Sequence, residues 1–316
     1  MKRLFVLLLA MALLALPFAA VQAEGYTVGY SLKTITNDAF QLALYTGIKT
    51  GVEAAGFKFV DAIAESQTAV ATQVNQIEDL IASGVNALIV NPMDANAVIP
   101  VLEKAKAAGI PVILVDQGIA GHEDLYVTFV STDNFAAAKV AGERMAKELG
   151  SKGNVIIVRG ANGSSAGDAR ADGFKAGIEG TGLVLVNEQP GDWVVDKAMQ
   201  VTENMLQANP DISGIFCCSD NMVPGIIQAL KNNDKDPASI CFISFDGAKA
   251  GCDYIASGEL LGTMAQFPAT IGAKAVEILV GIQNGSVDPA AVPKFVDAGT
   301  LVYDKTNLDI AAQFWF

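Results

Sequence analysis

The amino-acid sequence predicts an α/β protein built from two doubly wound parallel-sheet lobes. Short apolar runs rich in β-branched residues alternate with helical stretches of roughly ten to sixteen residues, most of which stop at a glycine. This alternation is typical of βαβ units, whose crossover helices cover both faces of a parallel sheet. The cycle starts near residue 28 and starts again at residue 155, and two successive lobes explain this better than one oversized sheet.

The first cycle contains five predicted strands and three predicted helices. An apolar run at 28–32 precedes a helix over 40–55 that stops at Gly56. The later strands are predicted at 57–63, 87–90, 111–115 and 126–130, and the later helices at 69–82 and 95–108. Gly84 and Gly109 follow these two helices, in the place where glycine commonly ends a helix.

The second cycle repeats the alternation. Strands are predicted at 155–158, 183–186, 215–218, 241–245 and 260–264, with helices at 169–179, 196–208, 222–232 and 248–257. A last helix over 271–280 and a tail with short apolar runs at 295–297 and 300–303 follow. The 293 residues after position 23 (316 − 23) match two domains of ordinary size.

The first residues of the chain predict export. Lys2 and Arg3 precede an unbroken apolar run at 4–16, and small residues lead to Ala23. This is the order of a secretory signal peptide, so we expect cleavage after Ala23 and a periplasmic location. A membrane anchor is the alternative, but a spanning helix needs about 20 apolar residues, more than this run supplies.

The mature chain is strongly acidic. Removing residues 1–23 takes away two positive charges, so the net charge changes from −13 to −15 (−13 − 2). A surface of this charge repels nucleic acid and anionic lipid, and no basic recognition patch occurs. With 51% hydrophobic and 17% charged residues the chain can bury a large core, which excludes a disordered protein.

The four cysteines leave two alternatives. Export permits a disulfide, and an even number invites one. Cys217 and Cys218 lie inside an apolar run, however, and Cys241 opens another, so we expect buried thiols at these positions and at Cys252. A zinc site is not predicted, because the spacing does not match and the single histidine, His122, is far away in sequence.

Polar residues recur at the carboxyl ends of the predicted strands, which is where ligands bind in open parallel sheets. They are Asn37-Asp38, Asn91, Asp116, Ser219-Asp220, Asp246 and Gln266. Each of them alone could be a helix cap or a turn residue. Their recurrence at equivalent places in both cycles predicts a ligand site between the two sheets.

Five segments of the sequence resemble the ribose- and galactose-type periplasmic binding proteins. They are 37–40 (NDAF), 84–92 (GVNALIVNP), 110–116 (IPVILVD), 244–247 (SFDG) and 265–268 with 271–274 (AQFP and IGAK). The segments follow in the family's order and spacing. The resemblance implies two lobes that enclose a small solute, and it implies a role as the substrate-binding component of an ABC transporter. A membrane permease is then the expected partner, with a chemoreceptor as a further one.

The resemblance also implies three hinge crossings between the lobes. They are expected near Ser131-Thr132, near Gln266 and at 297–299. After the signal peptide at 1–23, the N-terminal lobe then comprises residues 24–131 plus 267–297, and the C-terminal lobe comprises 132–266 plus 298–316.

In this family, aromatic stacking and charged hydrogen bonds hold the ligand. Asp38 matches the polar contact of the first loop and Phe40 its aromatic residue; the loop is one residue longer than usual, which makes Asn37 the alternative to Asp38. Asp116 matches the carboxylate after the fourth strand, and Trp193 matches the stacking aromatic of the second lobe. The full set of expected ligand-binding residues is Asp38, Phe40, Gln41, Asp116, Gln117, Asp168, Trp193, Ser219, Asp246 and Gln266.

Three positions depart from the ribose-type pattern. That pattern has arginine directly after the Asp116 position and near residue 168, where this chain has Gln117 and Asp168, with Arg170 as the alternative contact two residues on. Ser219 stands where asparagine is usual. We therefore expect a pocket rich in carboxylates with Arg170 as its only cation. Such a pocket argues against ribose itself and favours another neutral sugar or polyol, or an amino sugar.

Carboxylates and amides bond to several hydroxyl groups at once, so a sugar or polyol suits these residues and no cofactor or metal is expected. A monomer is expected as well. A glycoside-acting enzyme on the same fold is an alternative, because glycosidases use paired carboxylates. A binding protein for a non-sugar small polar signal molecule is another. No P-loop and no nucleophile elbow occurs, and binding alone explains the carboxylates, so we expect no catalysis.

Overall fold

The computed structural model of the chain describes residues 25–316. The predicted signal peptide, with its cleavage point after Ala23, lies outside the described residues. Over the described range, strands and helices alternate as the sequence predicts. None of the helices described has the length and the apolar content needed to span a bilayer.

Twelve strands and ten α-helices make up the described fold. The strands are β1 (Thr27–Leu32), β2 (Lys58–Ile63), β3 (Ala87–Val90), β4 (Val112–Val115), β5 (Thr128–Ser131), β6 (Lys152–Arg159), β7 (Gly182–Pro190), β8 (Ile212–Cys217), β9 (Cys241–Asp246), β10 (Gly262–Ala265), β11 (Phe295–Asp297) and β12 (Leu301–Asp304). The helices are α1 (Ala39–Ala54), α2 (Val70–Ala82), α3 (Ile99–Ala107), α4 (Asn134–Glu148), α5 (Ser165–Ile178), α6 (Val195–Ala208), α7 (Val223–Asn232), α8 (Lys249–Ser257), α9 (Pro268–Gln283) and α10 (Leu308–Ala311).

The strands form two six-stranded sheets, in the order β11-β5-β4-β3-β1-β2 and β12-β10-β9-β8-β6-β7. We call the first sheet with α1–α3 and α9 the first lobe, and the second sheet with α4–α8 and α10 the second lobe. The chain passes between the lobes three times: after β5, after β10, and between β11 and β12. The predicted fold of two doubly wound lobes joined by three crossings is confirmed.

One strand departs from the predicted parallel arrangement. β12 runs antiparallel to β10 at the edge of the second sheet, whereas the other strand pairs are parallel. It enters this sheet directly from the first lobe through residues 298–300, without the crossover helix that a parallel connection within one sheet requires. The predicted tail runs at 295–297 and 300–303 are thus edge strands, one in each sheet.

Strand periodicity places apolar residues on both faces of the first sheet. Val28, Tyr30 and Leu32 pack in the cluster that contains α1 and α9, whereas Leu88 and Val90 pack in the cluster that contains α2 and α3. β3 and β4 are buried along their whole length, as expected for central parallel strands covered on both sides. Apolar side chains cover both faces of this sheet. Its polar residues therefore lie at the carboxyl ends of the strands.

The structure corrects several predicted element boundaries. α5 begins at Ser165 rather than near 169, because the hydroxyl oxygen of Ser164 accepts a hydrogen bond from the N–H of Gly167 at 3.1 Å and caps an early turn. β7 continues beyond 186 to Pro190, and β5 begins at Thr128 rather than at 126. The glycine, serine and alanine residues before 169 hide the helix start from an analysis of apolar periodicity.

All four cysteines lie in the second lobe as free thiols, as predicted. Cys217, Cys218 and Cys252 are buried, and Cys241 is half-buried at the start of β9. Burial raises the pKa of Cys218 and of Cys241 to about 12 and that of Cys252 to about 11.

Candidate functional site

A cavity lies where the carboxyl ends of the two sheets face each other. Its thirteen lining residues are Lys33, Asp38, Phe40, Gln41, Gln67, Asp116, Gln117, Ala166, Arg170, Trp193, Ser219, Asp246 and Gln266. Both lobes and one crossing contribute, so a ligand here touches both halves of the molecule.

Nine of the ten residues predicted to bind ligand line this cavity, and Asp168 does not. The Asp168 side chain is 52% exposed and forms an ion pair with Arg159 on the outside of the second lobe. Residues two apart on a helix point about 200° apart, so the same turn of α5 that exposes Asp168 carries Arg170 into the cavity. The expected position of Asp168 is therefore corrected, and of the two alternatives Arg170 is the one beside the ligand space.

The first-lobe wall is organised around Asp116, which follows β4 in a left-handed backbone conformation (φ 63°). Its Oδ2 accepts hydrogen bonds from the side-chain amides of Gln41 and of Asn91, both at 3.0 Å. The Lys33 ammonium lies 3.6 Å from the same oxygen. No described donor is within hydrogen-bonding distance of Oδ1, so this oxygen remains available to a ligand.

The second-lobe wall is organised around Asp246, at the end of β9 (φ 124°). Oδ1 accepts from Arg170 Nη1 at 3.2 Å and from Gln266 Nε2 at 2.8 Å. Oδ2 accepts from Ser219 Oγ at 2.7 Å and from the Asp220 N–H at 3.2 Å. A carboxylate offers roughly four acceptor positions, so the protein itself already occupies those of Asp246.

A second carboxylate, Asp220, is buried directly behind Asp246. It accepts hydrogen bonds from the Ser244 and Thr263 hydroxyls and from the Ala248 N–H. Burial, followed by the charge of Asp246, raises the pKa of Asp220 to about 7. Burial also raises the pKa of Asp246, while Arg170 opposes that shift.

Arg170 is held in place by its other contacts as well as by Asp246. Its Nε donates to Asn134 Oδ1 at 2.7 Å, and its Nη1 donates to the Cys218 carbonyl at 2.6 Å. The guanidinium also stacks on the Phe245 ring at 3.9 Å from the ring centroid. Because this many partners fix the guanidinium, it holds the neighbouring residues of the cavity wall in place and does not move with a ligand.

Of the two residues considered for the first loop, Asp38 is the one that lines the cavity. It caps α1 by accepting the Gln41 N–H at 2.9 Å, and its other oxygen accepts from Gln67 Nε2 at 2.7 Å. Burial raises its pKa to about 6, although the Gln41 N–H and Lys33 act in the opposite direction. Asn37 is exposed with φ 56° and does not line the cavity.

Trp193 reaches the cavity because of an unusual turn. Asp192 and Trp193 both adopt left-handed backbone conformations (φ 54° and 65°), which non-glycine residues rarely do. The Asn221 amide holds this turn by donating to the Trp193 carbonyl at 2.8 Å. A Cβ atom at Gly160 would overlap the indole ring, so the ring lies directly on the glycine backbone. Trp193 is 7% exposed and presents its remaining surface to the ligand space.

Phe40 belongs both to the core of the first lobe and to the cavity wall. It is a buried core residue, 7% exposed, and it also lines the cavity. Its ring packs edge-on against that of Phe316 at 5.8 Å between centroids. The Phe316 carbonyl accepts a hydrogen bond from the Lys249 N–H of the second lobe, so Phe40 is supported from across the cleft.

Two polar cavity residues, Lys33 and Gln67, are absent from the predicted set. Lys33 directly follows β1, so the rule that selects polar residues at strand ends also selects it; a lysine in a loop is, however, ordinarily a solvated residue. Gln67 lies in the loop after the edge strand β2, away from any family segment. The expectation that Arg170 is the only cation is therefore wrong, because Lys33 is the second.

Several polar atoms at the cavity have no hydrogen-bond partner within residues 25–316. The Gln67 and Gln266 Oε1 atoms are unpaired acceptors, and the Gln117 Nε2 atom is an unpaired donor. Unpaired buried polar groups are costly unless a ligand or water satisfies them. Donors and acceptors side by side match hydroxyl groups, which do both.

No cluster of three or more histidine, cysteine or acidic side chains in residues 25–316 has the geometry for a metal ion. His122 stands before the short turn Glu123–Leu125 and is not among the cavity residues.

Comparison with known proteins agrees with this geometry. A family model described as "Periplasmic binding protein domain" matches residues 28–286. The chain belongs to this family. It is 31% identical to the ribose import binding protein RbsB of Salmonella typhimurium over 293 residues, covering 93% of this chain and 96% of the relative. It is 33% identical to RbsB of Bacillus subtilis over 271 residues, covering 86% of each.

The family is also represented among solved structures. An ABC transporter solute-binding protein from Agrobacterium vitis, solved with bound D-fucose, superposes with a TM-score of 0.84 at 26% identity, covering 92% of this chain and all of that one. The named members of the family are substrate-binding proteins. The resemblance deduced from the five sequence segments is thus confirmed over nearly the whole chain.

Proposed function

We propose that the protein is the periplasmic substrate-binding component of an ABC transporter, which closes two lobes around one small neutral sugar or polyol. The observation that carries the proposal is the cavity itself. It is lined by carboxylates, amides and an indole ring from both lobes. A ligand that bridges both walls favours the closed arrangement by the difference between its affinities for the closed and open forms.

The polar atoms support a polyhydroxyl ligand. Asp116 Oδ1 accepts, the amide nitrogen of Gln117 donates, and the Trp193 face covers an apolar ring surface. Sugar acids and phosphates suit the cavity poorly, because Asp38, Asp116 and Asp246 repel them and both cations already face carboxylates. The relatives named above bind ribose or D-fucose, which supports the same ligand class.

The transport role is supported by family membership and by the amino terminus. Delivery to a membrane permease follows from the import function of the named relatives. The charged and apolar start of the chain supports export and cleavage after Ala23. We also propose a monomer that binds no nucleic acid, given the net charge of the mature chain, and a chemoreceptor as a further partner.

The two lobes are proposed to move as rigid units, residues 24–131 plus 267–297 against residues 132–266 plus 298–316. The connections between them are short, at 132–133, 266–267 and 298–300. Short connections concentrate a closing motion in few residues, as hinges do.

Catalysis on a glycoside is not part of the proposal. A general acid must carry its proton toward the substrate, yet both Asp38 oxygens accept hydrogen bonds from N–H donors of Gln41 and Gln67. Asp246 has four donors and none of its oxygens is free to act as a base or nucleophile. Asp116 Oδ1 is then the one unpaired carboxylate oxygen among these three residues, whereas a glycosidase needs a pair of carboxylates.

A thermal-shift screen of the mature protein tests the proposal. The probes are D-ribose, D-allose, D-arabinose, D-fucose, D-tagatose, myo-inositol and glycerol, with ribose 5-phosphate and gluconate as anionic comparisons. A ligand at 100 times its Kd stabilises the native state by about 2.7 kcal/mol. We expect at least one neutral compound to raise Tm and the anions to leave it unchanged.

Small-angle scattering with the responding compound then checks closure. The radius of gyration should fall at saturation, and the same compound should leave the radius of the Asp116→Ala variant unchanged at that concentration. Tight binding of the sugar phosphate, hydrolysis of a glycoside, or no response to any neutral compound would contradict the proposed function.

A further inference from the structure

Lys33 is a buried cation whose donors the protein does not use. Its side chain is 4% exposed, and it lines the cavity directly after β1. Its nearest carboxylate oxygen, Asp116 Oδ2, is 3.6 Å away, beyond hydrogen-bonding distance, and already accepts from two amides. Within residues 25–316, Nζ makes no hydrogen bond. A lysine ammonium has three N–H donors, and burying it without partners is costly.

The position of this ammonium between the lobes is equally specific. Lys33 belongs to the first lobe, yet Nζ lies 5.5 Å from the centroid of the Trp193 ring in the second lobe. The Arg170 guanidinium is 5.7 Å from the same ring. The indole face on which a ligand would stack therefore has a cation from each lobe near it.

We propose that Lys33 sets the charge class of the ligand: its ammonium donates to an oxygen of a neutral sugar or polyol and excludes amino sugars and other cations. This inference rests on the proposed function and goes beyond it by naming the discriminating residue. It also rejects the amino sugar that a pocket with Arg170 as its only cation would favour.

Charge pairing explains the exclusion. Asp116 faces Lys33, and Asp246 has its four acceptor positions filled, Arg170 among the donors. Asp38 is the remaining carboxylate, and its oxygens already receive the Gln41 N–H and the Gln67 amide. A cationic ligand would therefore meet like charges at Lys33 and Arg170, and the one carboxylate oxygen left to it, Asp116 Oδ1, belongs to the carboxylate that already faces Lys33. Discrimination of this kind needs a repulsive group as well as an attractive one.

The test compares Lys33→Met with Lys49→Met. Both changes keep an unbranched side chain and remove one ammonium near an aromatic ring, but Lys49 faces Tyr45, away from the cavity. The probes are the neutral D-ribose, D-allose, D-fucose and myo-inositol, and the amines D-glucosamine and D-galactosamine. Calorimetry gives Kd for each, and denaturant unfolding checks that both variants are folded.

We expect the wild type to bind at least one neutral probe at least tenfold more tightly than either amine. Lys33→Met should weaken the neutral probe at least tenfold and should lower the ratio of neutral to amine affinity by at least tenfold. Lys49→Met should change neither. Lys33→Arg, which keeps the charge, should still exclude the amines, and it supplies the decisive comparison where Lys33→Met fails to fold.

The outcomes separate this inference from the proposed function. Neutral binding by the wild type with an unchanged ratio in Lys33→Met overturns the role of Lys33 and leaves the proposed function intact. Binding of an amine as tightly as the best neutral probe overturns it as well. Absence of any neutral binding contradicts the proposed function, and the inference falls with it.

Discussion

The two walls of the cavity are built at equivalent places but use their carboxylates differently. Asp116 follows the strand β4 of the first sheet, and Asp246 ends the strand β9 of the second. Asp246 accepts four hydrogen bonds from its own lobe and crossing, whereas Asp116 accepts two, and these go to one oxygen. Topological equivalence therefore predicts position but not role: one carboxylate is fully hydrogen-bonded within its wall, and the other leaves one oxygen unpaired at the cavity.

The largest effect on stability should come from removing Asp246, whose acceptor positions are all filled by the protein. Asp246→Ala leaves the Arg170 charge buried without its partner, which typically costs about 3–5 kcal/mol of unfolding free energy. Asp116→Ala should cost less, because Lys33 makes no hydrogen bond to Asp116 and borders the cavity. Urea unfolding of both variants without ligand measures the difference. Equal losses would mean that the two walls are organised alike.

Ligand affinity should not follow the ranking of the stability losses. Asp116→Ala should weaken binding of the responding sugar by about 2–4 kcal/mol, because it removes a charged acceptor at a desolvated site. Asp246→Ala should weaken binding by a similar amount, but only together with its loss of stability. Calorimetry at a temperature where both variants are folded decides the matter. Full affinity retained by Asp116→Ala would remove it from the ligand contacts.

Stability should depend on pH mainly through the second wall. The pKa of Asp220 is raised to about 7, so the native state takes up its proton before the unfolded chain does. Stability is therefore lowest above pH 7 and rises as the pH falls from 8 towards 5. Asp38, whose pKa is about 6, adds to the same trend from the first wall.

Chemical unfolding of the ligand-free protein between pH 5 and 8 measures this slope. Asp220→Asn should flatten it, whereas Asp124→Asn should leave it unchanged, because the hydrogen bond from Lys106 lowers the pKa of Asp124 further below this range. An unaltered slope in Asp220→Asn would assign the pH response to other groups.

The smallest of these effects concerns Trp193, whose indole ring lies near a cation from each lobe. Trp193→Ala should weaken sugar binding by at least about 1 kcal/mol, through loss of the stacking surface. Trp315→Ala is the matched control, because this tryptophan also has a lysine near its ring, Lys249 at 5.3 Å, but does not line the cavity. Comparable losses in the two variants would contradict stacking by Trp193.

The sequence predicts the lobes and most of the cavity because both follow from strand ends. Strand periodicity and the glycines after helices locate the elements, and the carboxyl ends of parallel strands converge in any such sheet. Asp116, Asp246 and Gln266 are found in this way. The failures concern side chains whose direction depends on a helix start or a loop. Asp168 is misplaced because α5 starts early, and Lys33 is missed because its burial depends on the facing lobe.

The distribution of cysteines has a practical consequence for labelling chemistry. The first lobe contains none, and burial raises the pKa of all four thiols in the second lobe. For Cys218, Cys241 and Cys252, on the order of 10⁻⁴ or less of the thiol is deprotonated at neutral pH. Maleimide reagents attack the thiolate, so a cysteine introduced at the exposed Leu42 on α1 would react far ahead of the native ones. Leu42 adjoins the cavity residue Gln41, which allows an environment-sensitive dye to follow lobe closure in real time without removal of any native thiol.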